Sequence, residues 1–205
     1  MTKPLRLPEP RPGSRILSVG TYRPTRVVTN DEIAPRIDSS DEWIRERTGI
    51  VERRFASPEE SVADMALAAA GKALANAGVA ADQIGMVLLA SVTHPYQTPA
   101  ASTEVADRLG AHNAGAIDVG AACAGFCYSL ALADTIVRTG TSEHVLVIGV
   151  EKLTDFVSLD DRGASFIFAD GAGAVVVGPS DHPGIGPVVW GADGAQKDAI
   201  TMTQS

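Results

Sequence analysis

Cys123 is the residue of this chain whose type and position most suggest covalent chemistry. It lies in "IDVGAACAGFCYSLALADTIVRTG", residues 117–140, where an apolar stretch meets a predicted helix over 123–139. The chain has only two cysteines, and small residues surround this one, so that a substrate could approach its sulfur closely. A helix dipole places partial positive charge at this end, which favours a thiolate or an oxyanion formed from a bound acyl group. The pattern indicates a cysteine nucleophile.

A second interpretation of Cys123 stays open at this point. Free cysteine is among the most buried residue types, and the 123–139 helix is apolar around its circumference, which predicts a buried helix. Cys123 could then be a small core residue. We interpret Cys127, one turn further along, as packing. The start of the helix, "GAAC", offers no side chain to cap its first amides.

Strands and helices alternate along most of the chain, which predicts a layered α/β fold. A flexible, proline-rich tail over 1–14 precedes one domain-sized unit over 15–205. Capping-box spacing starts two short helices, at Thr29 with Glu32 and at Ser39 with Glu42. The longer predicted helices cover 61–78, 98–110 and 123–139; the predicted strands cover 15–22, 50–55, 86–92, 116–120, 144–150, two strands around a glycine-rich turn within 165–178, and "PVVWGADG", 187–194.

The composition excludes several classes of function. The net charge of −8 over 205 residues argues against nucleic-acid binding and against an anionic membrane surface. The two cysteines, at i and i+4, make a poor disulfide, and no histidine or cysteine cluster has metal-ligand spacing. The amino terminus is not a signal peptide, and no apolar run could span a bilayer. We therefore expect a cytoplasmic protein.

Three segments in order resemble a known family. "DSSDEWIRERTGI" (38–50), "DVGAACAGFCYSLALAD" (118–134) and "DRGASFIFADGAGAVVV" (161–177) are similar to β-ketoacyl-acyl-carrier-protein synthase III of the thiolase superfamily, with actinobacterial members most alike. The resemblance covers residues 15 to about 200. It implies the first, N-terminal half of the two-half αβαβα thiolase architecture.

The resemblance implies a concrete chemistry. Such enzymes transfer an acyl group from acyl-CoA to a cysteine, and the carbanion from malonyl-acyl-carrier protein then attacks it, without a cofactor or metal. Cys123 falls on the nucleophile position. Trp43, Arg47 and Arg162 fall on CoA-binding positions. From the residues alone, Trp43 could equally be the apolar face of a short helix and the arginines near it, Arg45, Arg47, Arg53 and Arg54, a solvated, ion-paired surface; Arg162 could pair with Asp160 or Asp161.

Thr98 falls on a position of the acyl pocket that carries a bulky aromatic residue in some family members. A small residue leaves room for a longer or branched primer, so we expect a preference beyond acetyl-CoA. The resemblance also implies a homodimer and an acyl-carrier-protein partner. "ADGAGA" resembles a phosphate-binding loop, but it does not open a helix, so a tight turn between strands is the better interpretation.

The histidine and asparagine motifs that the family uses in its second step do not occur in this sequence, and we interpret His94, His112, His144 and His182 as structural or exposed. We therefore expect that the C-terminal half is absent from this chain and that acylation could occur without condensation. Two alternatives remain: a non-catalytic dimerisation or acyl-CoA-binding module, and a polyketide-priming ketosynthase.

Overall fold

One mixed five-stranded sheet organises the chain, of which the computed structural model describes residues 8–202. The elements are β1 (Gly13–Tyr22), β2 (Arg26–Thr29), α1 (Asn30–Ile33), α2 (Asp41–Thr48), β3 (Glu52–Phe55), α3 (Val62–Ala77), β4 (Ile84–Ala90), α4 (Ala101–Leu109), β5 (Gly115–Val119), α5 (Gly125–Arg138), β6 (His144–Lys152) and β7 (Asp170–Ser180). The order in the large sheet is β1-β7-β6-β4-β5, while β2 and β3 form a small antiparallel pair.

The central strands are buried on both faces because helices cover the sheet on both sides. Val87 and Leu89 of β4 belong to the core beneath α3 and α4, whereas Leu88 between them belongs to the core beneath α5. The same alternation continues in β6 and β7. Continuous apolar strands are typical of such doubly covered sheets, and the predicted layered α/β fold is confirmed.

A second, smaller core lies outside the sheet. The segment between β1 and α3 and the segment between β6 and β7 pack against each other here. The buried residues are Val28, Ile33, Ala34, Ile37, Ile44, Phe55 and Phe166. This core attaches α2 to the 153–169 segment, although the two are more than a hundred residues apart in the chain.

The predicted helix boundaries hold where capping chemistry is local. Ser61 and Asp64 form a capping box at the start of α3, and Gly78 ends that helix in the left-handed conformation. At α1 the Glu32 carboxylate accepts the Thr29 N–H, as predicted. The prediction of Ser39 as the cap of α2 is wrong, because the adjacent Ser40 accepts the N–H of residue 43.

Two predicted strand assignments are also wrong. The 165–178 segment is not two strands around a turn, since β7 runs unbroken from Asp170 through the glycines and only the residues before it form turns. Residues 187–193 form no strand. Gly171 and Gly173 are instead paired with β6, and Gly173 is also paired with β1.

The prediction of a flexible tail over 1–14 is wrong for its last residues. Gly13 and Ser14 already pair with β7, and the Arg11 N–H donates to the Arg138 carbonyl at 2.7 Å. Residues 1–7 lie outside the described residues. Among residues 8–202, no helix has the length and apolar content needed to cross a bilayer.

We expect Asp64→Asn to lower the free energy of unfolding by about 1 kcal/mol at pH 7. Hydrogen bonds from the Ser61 hydroxyl and N–H and from Arg108 lower the Asp64 pKa to about 2. The side chain is 42% exposed, so solvent screens part of this gain. Because the pKa is lower in the folded than in the unfolded chain, the contribution is complete above about pH 4 and declines as the pH falls towards 2.

Urea titrations at pH 7 and pH 3 measure this difference. Asp82→Asn is the matched control, because Asp82 is exposed and has no hydrogen-bond partner for its side chain within residues 8–202. An Asp64→Asn effect of equal size at both pH values would contradict the assignment to the charged form.

Gly125 opens α5 so close to β4 that a side chain has no room. A Cβ built there would lie 2.8 Å from the Ala90 Cβ and 3.3 Å from the Val119 carbonyl oxygen. We expect Gly125→Ala to destabilise the protein by about 1–3 kcal/mol and to push the start of α5 away from the sheet. Thermal melting and the alkylation rate of Cys123 measure the two effects.

Gly71→Ala is the matched control, since a Cβ at Gly71 in α3 meets nothing within 4 Å. Alanine there should stabilise the helix by roughly 0.5–1 kcal/mol. Equal destabilisation by both substitutions would contradict the packing argument.

Candidate active site

The predicted site residues lie on segments that leave the same edge of the sheet. One row of paired residues crosses the five strands and consists of Thr21, Gly173, Gly149, Ala90 and Val119. The strands β4, β5 and β6 are parallel to one another and run towards this row. Because β7 is antiparallel to both β6 and β1, β1 runs in the same direction as β6. Ligands of open α/β sheets bind at this carboxyl edge.

Each candidate residue follows one of these strands. Thr98 follows β4, Cys123 follows β5 and Arg162 follows β6, while Trp43 and Arg47 lie on α2, in the longer segment that follows β1 and includes β2 and α1. The topology therefore directs to one edge of the sheet the segments that carry these residues, which are up to about 120 positions apart in the sequence.

Cys123 occupies a tight 3₁₀ turn, Ala122–Ala124, between β5 and α5. The preceding residue, Ala122, has φ of 44°, a left-handed conformation that costs a non-glycine residue about 1–3 kcal/mol. Strained backbone of this kind clusters at functional sites, where the surrounding structure maintains it. The helix begins at Gly125, two residues later than predicted, and no side chain caps it.

The interpretation of Cys123 as a buried core residue is wrong, because its side chain is exposed. The prediction that Cys127 serves packing is wrong too, since Cys127 is exposed as well. The prediction of a helix buried all round also fails. In this chain α5 buries the face that includes Ala133 and Val137 against the sheet, while Leu132 is 37% exposed.

Trp43, Arg47 and Arg162 form one cluster. The Trp43 indole lies edge-on to Phe166 of the second core, with ring centroids 5.2 Å apart. The Arg47 guanidinium lies 4.7 Å from the indole centroid, and that of Arg162 lies 5.5 Å from it. Trp43 is thus both an apolar residue of α2, as one interpretation held, and a platform for two cations.

The loop that carries Arg162 is anchored to the 34–38 segment. Arg162 donates to the carbonyls of Ile37 and Asp38, and Arg36 forms an ion pair with Asp160 at 2.8 Å. The alternative that Arg162 pairs with Asp160 or Asp161 is therefore wrong. Since Arg162 bonds to backbone oxygens, it keeps an uncompensated positive charge.

The arginines of this region differ in whether a carboxylate neutralises them. Arg45 pairs with Asp41 at 2.7 Å, and Arg54 pairs with Glu52 at 3.4 Å. Among residues 8–202, neither Arg47 nor Arg162 has a carboxylate partner within ion-pair distance. An unpaired guanidinium on an aromatic surface is suited to bind a phosphate or an aromatic base.

Arg53 is buried, so its interpretation as solvated surface is wrong. Its guanidinium donates to the Asn30 side-chain oxygen at 2.6 Å and to the carbonyls of Thr29 and Phe166 at 3.3 Å. Burial lowers the pKa of this group. Arg53 thereby joins the small sheet to the 153–169 segment, which carries Arg162.

Thr98 is exposed on the 91–100 segment, between β4 and α4. His94, on the same segment, lies edge-on to Tyr96 with ring centroids 5.5 Å apart, while His112 and His182 are exposed and His144 is partly buried. Two surface cavities lie near Arg11, Arg15 and Arg138, at the opposite edge of the sheet.

Three carboxylates at the carboxyl edge were missed from the sequence. Asp118 accepts the N–H groups of Ala101 and Ser102, at 2.8 and 2.9 Å. Glu151 accepts hydrogen bonds from the segment after β4, and Asp170 accepts the Ala56 N–H at 2.7 Å. Each is a lone acid within an apolar strand, and this is the one signal that could have identified them.

Burial raises the pKa of the Glu151 carboxyl above its ordinary value, although hydrogen bonds from Thr93 and the Val92 N–H oppose that shift. The carboxylate is half-buried and accepts Thr93 Oγ1 at 2.6 Å. It therefore depends on its hydrogen-bond donors for its charge.

Sequence comparison identifies relatives over nearly the whole chain. The family model for 3-oxoacyl-[acyl-carrier-protein] synthase III matches residues 117–194. β-Ketoacyl-[acyl-carrier-protein] synthase III 1 of Streptomyces coelicolor is 57% identical over 194 residues, which are 95% of this chain and 57% of the relative. The Streptomyces glaucescens synthase III is 55% identical over 94% of this chain and 58% of its own length. The chain thus spans somewhat more than half the length of these curated relatives.

Solved structures agree. The priming β-ketosynthase from the R1128 polyketide biosynthetic pathway superimposes with a TM-score of 0.90 and 52% identity, over 95% of this chain and 58% of that one. The 3-oxoacyl-[acyl-carrier-protein] synthase III of Aquifex aeolicus gives a TM-score of 0.79 and 42% identity, over 82% and 55% of the two chains. The predicted resemblance and the thiolase-like fold class are confirmed. In sequence and in fold this chain is similar to β-ketoacyl-[acyl-carrier-protein] synthase III enzymes over most of its own length, and it spans somewhat more than half of theirs.

Proposed function

We propose that this chain carries the acyl-accepting site of a β-ketoacyl-acyl-carrier-protein synthase III, an acyltransferase that acts on an acyl-CoA primer. One observation carries the proposal. An exposed cysteine on a strained turn and an indole with two unpaired guanidinium groups lie on segments that leave the same edge of one sheet. The first group supplies a nucleophile, and the second suits the adenine and phosphates of CoA.

In the proposed acylation, the Cys123 thiolate attacks the carbonyl carbon of the acyl-CoA thioester. The new carbon–sulfur bond to Cys123 forms as the bond to CoA breaks, and CoA leaves as a thiol after taking up a proton. No cofactor or metal is needed, because the thioester is already activated. Trp43, Arg47 and Arg162 hold the nucleotide end and present the thioester to the nucleophile.

For the whole protein, we propose that malonyl-acyl-carrier protein then loses CO₂ and that the resulting carbanion attacks the acyl-cysteine. A carbon–carbon bond forms, the Cys123 thiolate leaves, and the product is a 3-oxoacyl-carrier protein. The acyl-carrier protein and a second copy of the protein are therefore proposed partners. A free thiol nucleophile is suited to the reducing cytoplasm, which is the proposed location.

A second candidate function is supported by one comparison. The priming β-ketosynthase of the R1128 polyketide pathway is 52% identical to this chain. A polyketide-priming ketosynthase would use the same acyl transfer, so the two candidates differ in primer and in carrier protein. A non-catalytic acyl-CoA-binding module would lack the transfer itself.

Incubation of the chain with acyl-CoA should add one acyl group to Cys123. Intact-mass measurement should detect the adduct, and Cys123→Ser should abolish it because a hydroxyl in the same turn is a far weaker nucleophile.

In competition among acetyl-, isobutyryl- and dodecanoyl-CoA, the small Thr98 should favour the primers larger than acetyl.

Cys127→Ser is the matched control, since Cys127 is the other exposed cysteine and lies one turn away. It should leave the adduct unchanged. No adduct with any primer would support the non-catalytic module, and a clear preference for acetyl-CoA would contradict the assignment of Thr98.

CoA binding should depend on the unpaired arginines and not on their paired neighbour. In a Trp190→Phe background, which leaves Trp43 as the single tryptophan, CoA should change the indole fluorescence. Arg162→Ala should weaken CoA binding by about 10-fold or more, since a lost charge-assisted contact has an effect of this order.

Arg45→Ala tests whether the effect is local. Arg45 lies on the same helix as Trp43 but is neutralised by Asp41, so its removal should change CoA affinity by less than about 2-fold. Equal losses for the two variants would indicate a diffuse charge effect and would contradict a defined nucleotide site.

A further inference from the structure

The ten residues from Ser91 to Ala100 connect β4 to α4 without a helix or strand of their own. Most of them are exposed, including Thr98, the predicted acyl-pocket residue. Thr93 is the one fully buried residue of the segment, with 1% of its surface exposed. Such a segment has little packing to hold it, so its position depends on what binds its two ends.

The first end is held by Glu151, at the end of β6. Its carboxylate accepts the Thr93 hydroxyl at 2.6 Å, the Val92 N–H at 3.0 Å and the Ser91 hydroxyl at 3.3 Å. The Thr93 oxygen in turn accepts the Lys152 N–H at 2.8 Å. The Thr93 hydroxyl thus bridges the Glu151 carboxylate and the Lys152 N–H.

The second end is held by Asp118, in β5. Ala100, the residue at the cap position of α4, has no side-chain acceptor, and Asp118 replaces it from the neighbouring strand. Its two oxygens accept the Ala101 and Ser102 N–H groups at 2.8 and 2.9 Å. Asp118 lies five residues before Cys123, so the strand that holds this end of the segment also leads into the turn that carries the nucleophile.

We propose that Asp118 and Glu151 are positioning residues which, by fixing both ends of the 91–100 segment, set the size of the acyl group that can reach Cys123. The inference rests on the proposed function for its acyl ligand. Neither carboxylate touches the reacting atoms. Both act through the segment: Glu151 lies near the end of the central strand β6, and Asp118 lies in the edge strand β5.

A purely structural role makes a different prediction. If these carboxylates only stabilise the fold, their loss lowers the melting temperature and slows or speeds all reactions of Cys123 alike. If they position the segment, their loss changes the selectivity of Cys123 for reagents of different size. The ratio of two rates therefore separates the roles.

The test measures Cys123 alkylation by N-ethylmaleimide and by N-octylmaleimide in a Cys127→Ala background, so that Cys123 is the single thiol. The octyl-to-ethyl rate ratio should change by roughly 3- to 10-fold in Asp118→Asn and in Thr93→Val, which removes the hydroxyl between Glu151 and Lys152. Thr93→Ser keeps that hydroxyl and should keep the wild-type ratio. Asp64→Asn, which alters a helix-capping carboxylate elsewhere, should keep it too.

Maleimides need no acyl transfer, so the two proposals fail separately. A shifted maleimide ratio without acylation by acyl-CoA would contradict the proposed function and support the positioning role. An unchanged ratio in both Asp118→Asn and Thr93→Val would overturn the positioning role, even if acyl-CoA acylates Cys123. An equal shift in Thr93→Ser or Asp64→Asn would overturn it too. A variant that is unfolded will show the same alkylation rates as the urea-denatured chain. In that case the other variant alone decides whether the positioning role holds.

Discussion

The burial of β4 and β6 on both faces is the constraint on which the rest of the structure depends. Leu88 faces α5 while its neighbours in β4 face α3 and α4, so helices must cover both sides of the sheet. Parallel strands with helical crossovers satisfy this requirement, and they direct their carboxyl ends to one edge. The alignment of the candidate site at that edge follows from the packing of the core.

The edge itself is held by hydrogen bonds from backbone amides to strand carboxylates. Asp118, Glu151 and Asp170 each accept at least one backbone N–H from a segment other than their own strand. Such bonds to an ionised acceptor are stronger than neutral ones. The irregular segments are therefore tied to the strands of the sheet where they meet it.

The sequence was sufficient for elements with a strong local pattern. The alanine-rich helix α3 has its own start signal, Ser61, and its own stop signal, Gly78, next to it in the sequence. The apolar runs of β4 and β6 are longer than the apolar runs of loops. It failed where the deciding contact is distant. Gly171 and Gly173 suggest a turn, yet pairing of both with β6, and of Gly173 also with β1, keeps them in a strand. For the same reason, the burial of Arg53 and the capping of α4 by Asp118 could not be predicted from nearby residues, whereas the motifs indicated Cys123, Trp43 and the arginines as candidate site residues.

The separation between sheet and loops has an evolutionary consequence. Some irregular segments add little to the core: the 91–100 segment begins at β4, ends at α4 and fully buries one residue, Thr93. Insertions and exchanges within one such segment leave the core contacts untouched, and loops tolerate such variation. Descendants of one ancestral scaffold can thus diverge in what they accept while they retain a common architecture, because the cost of each change stays local.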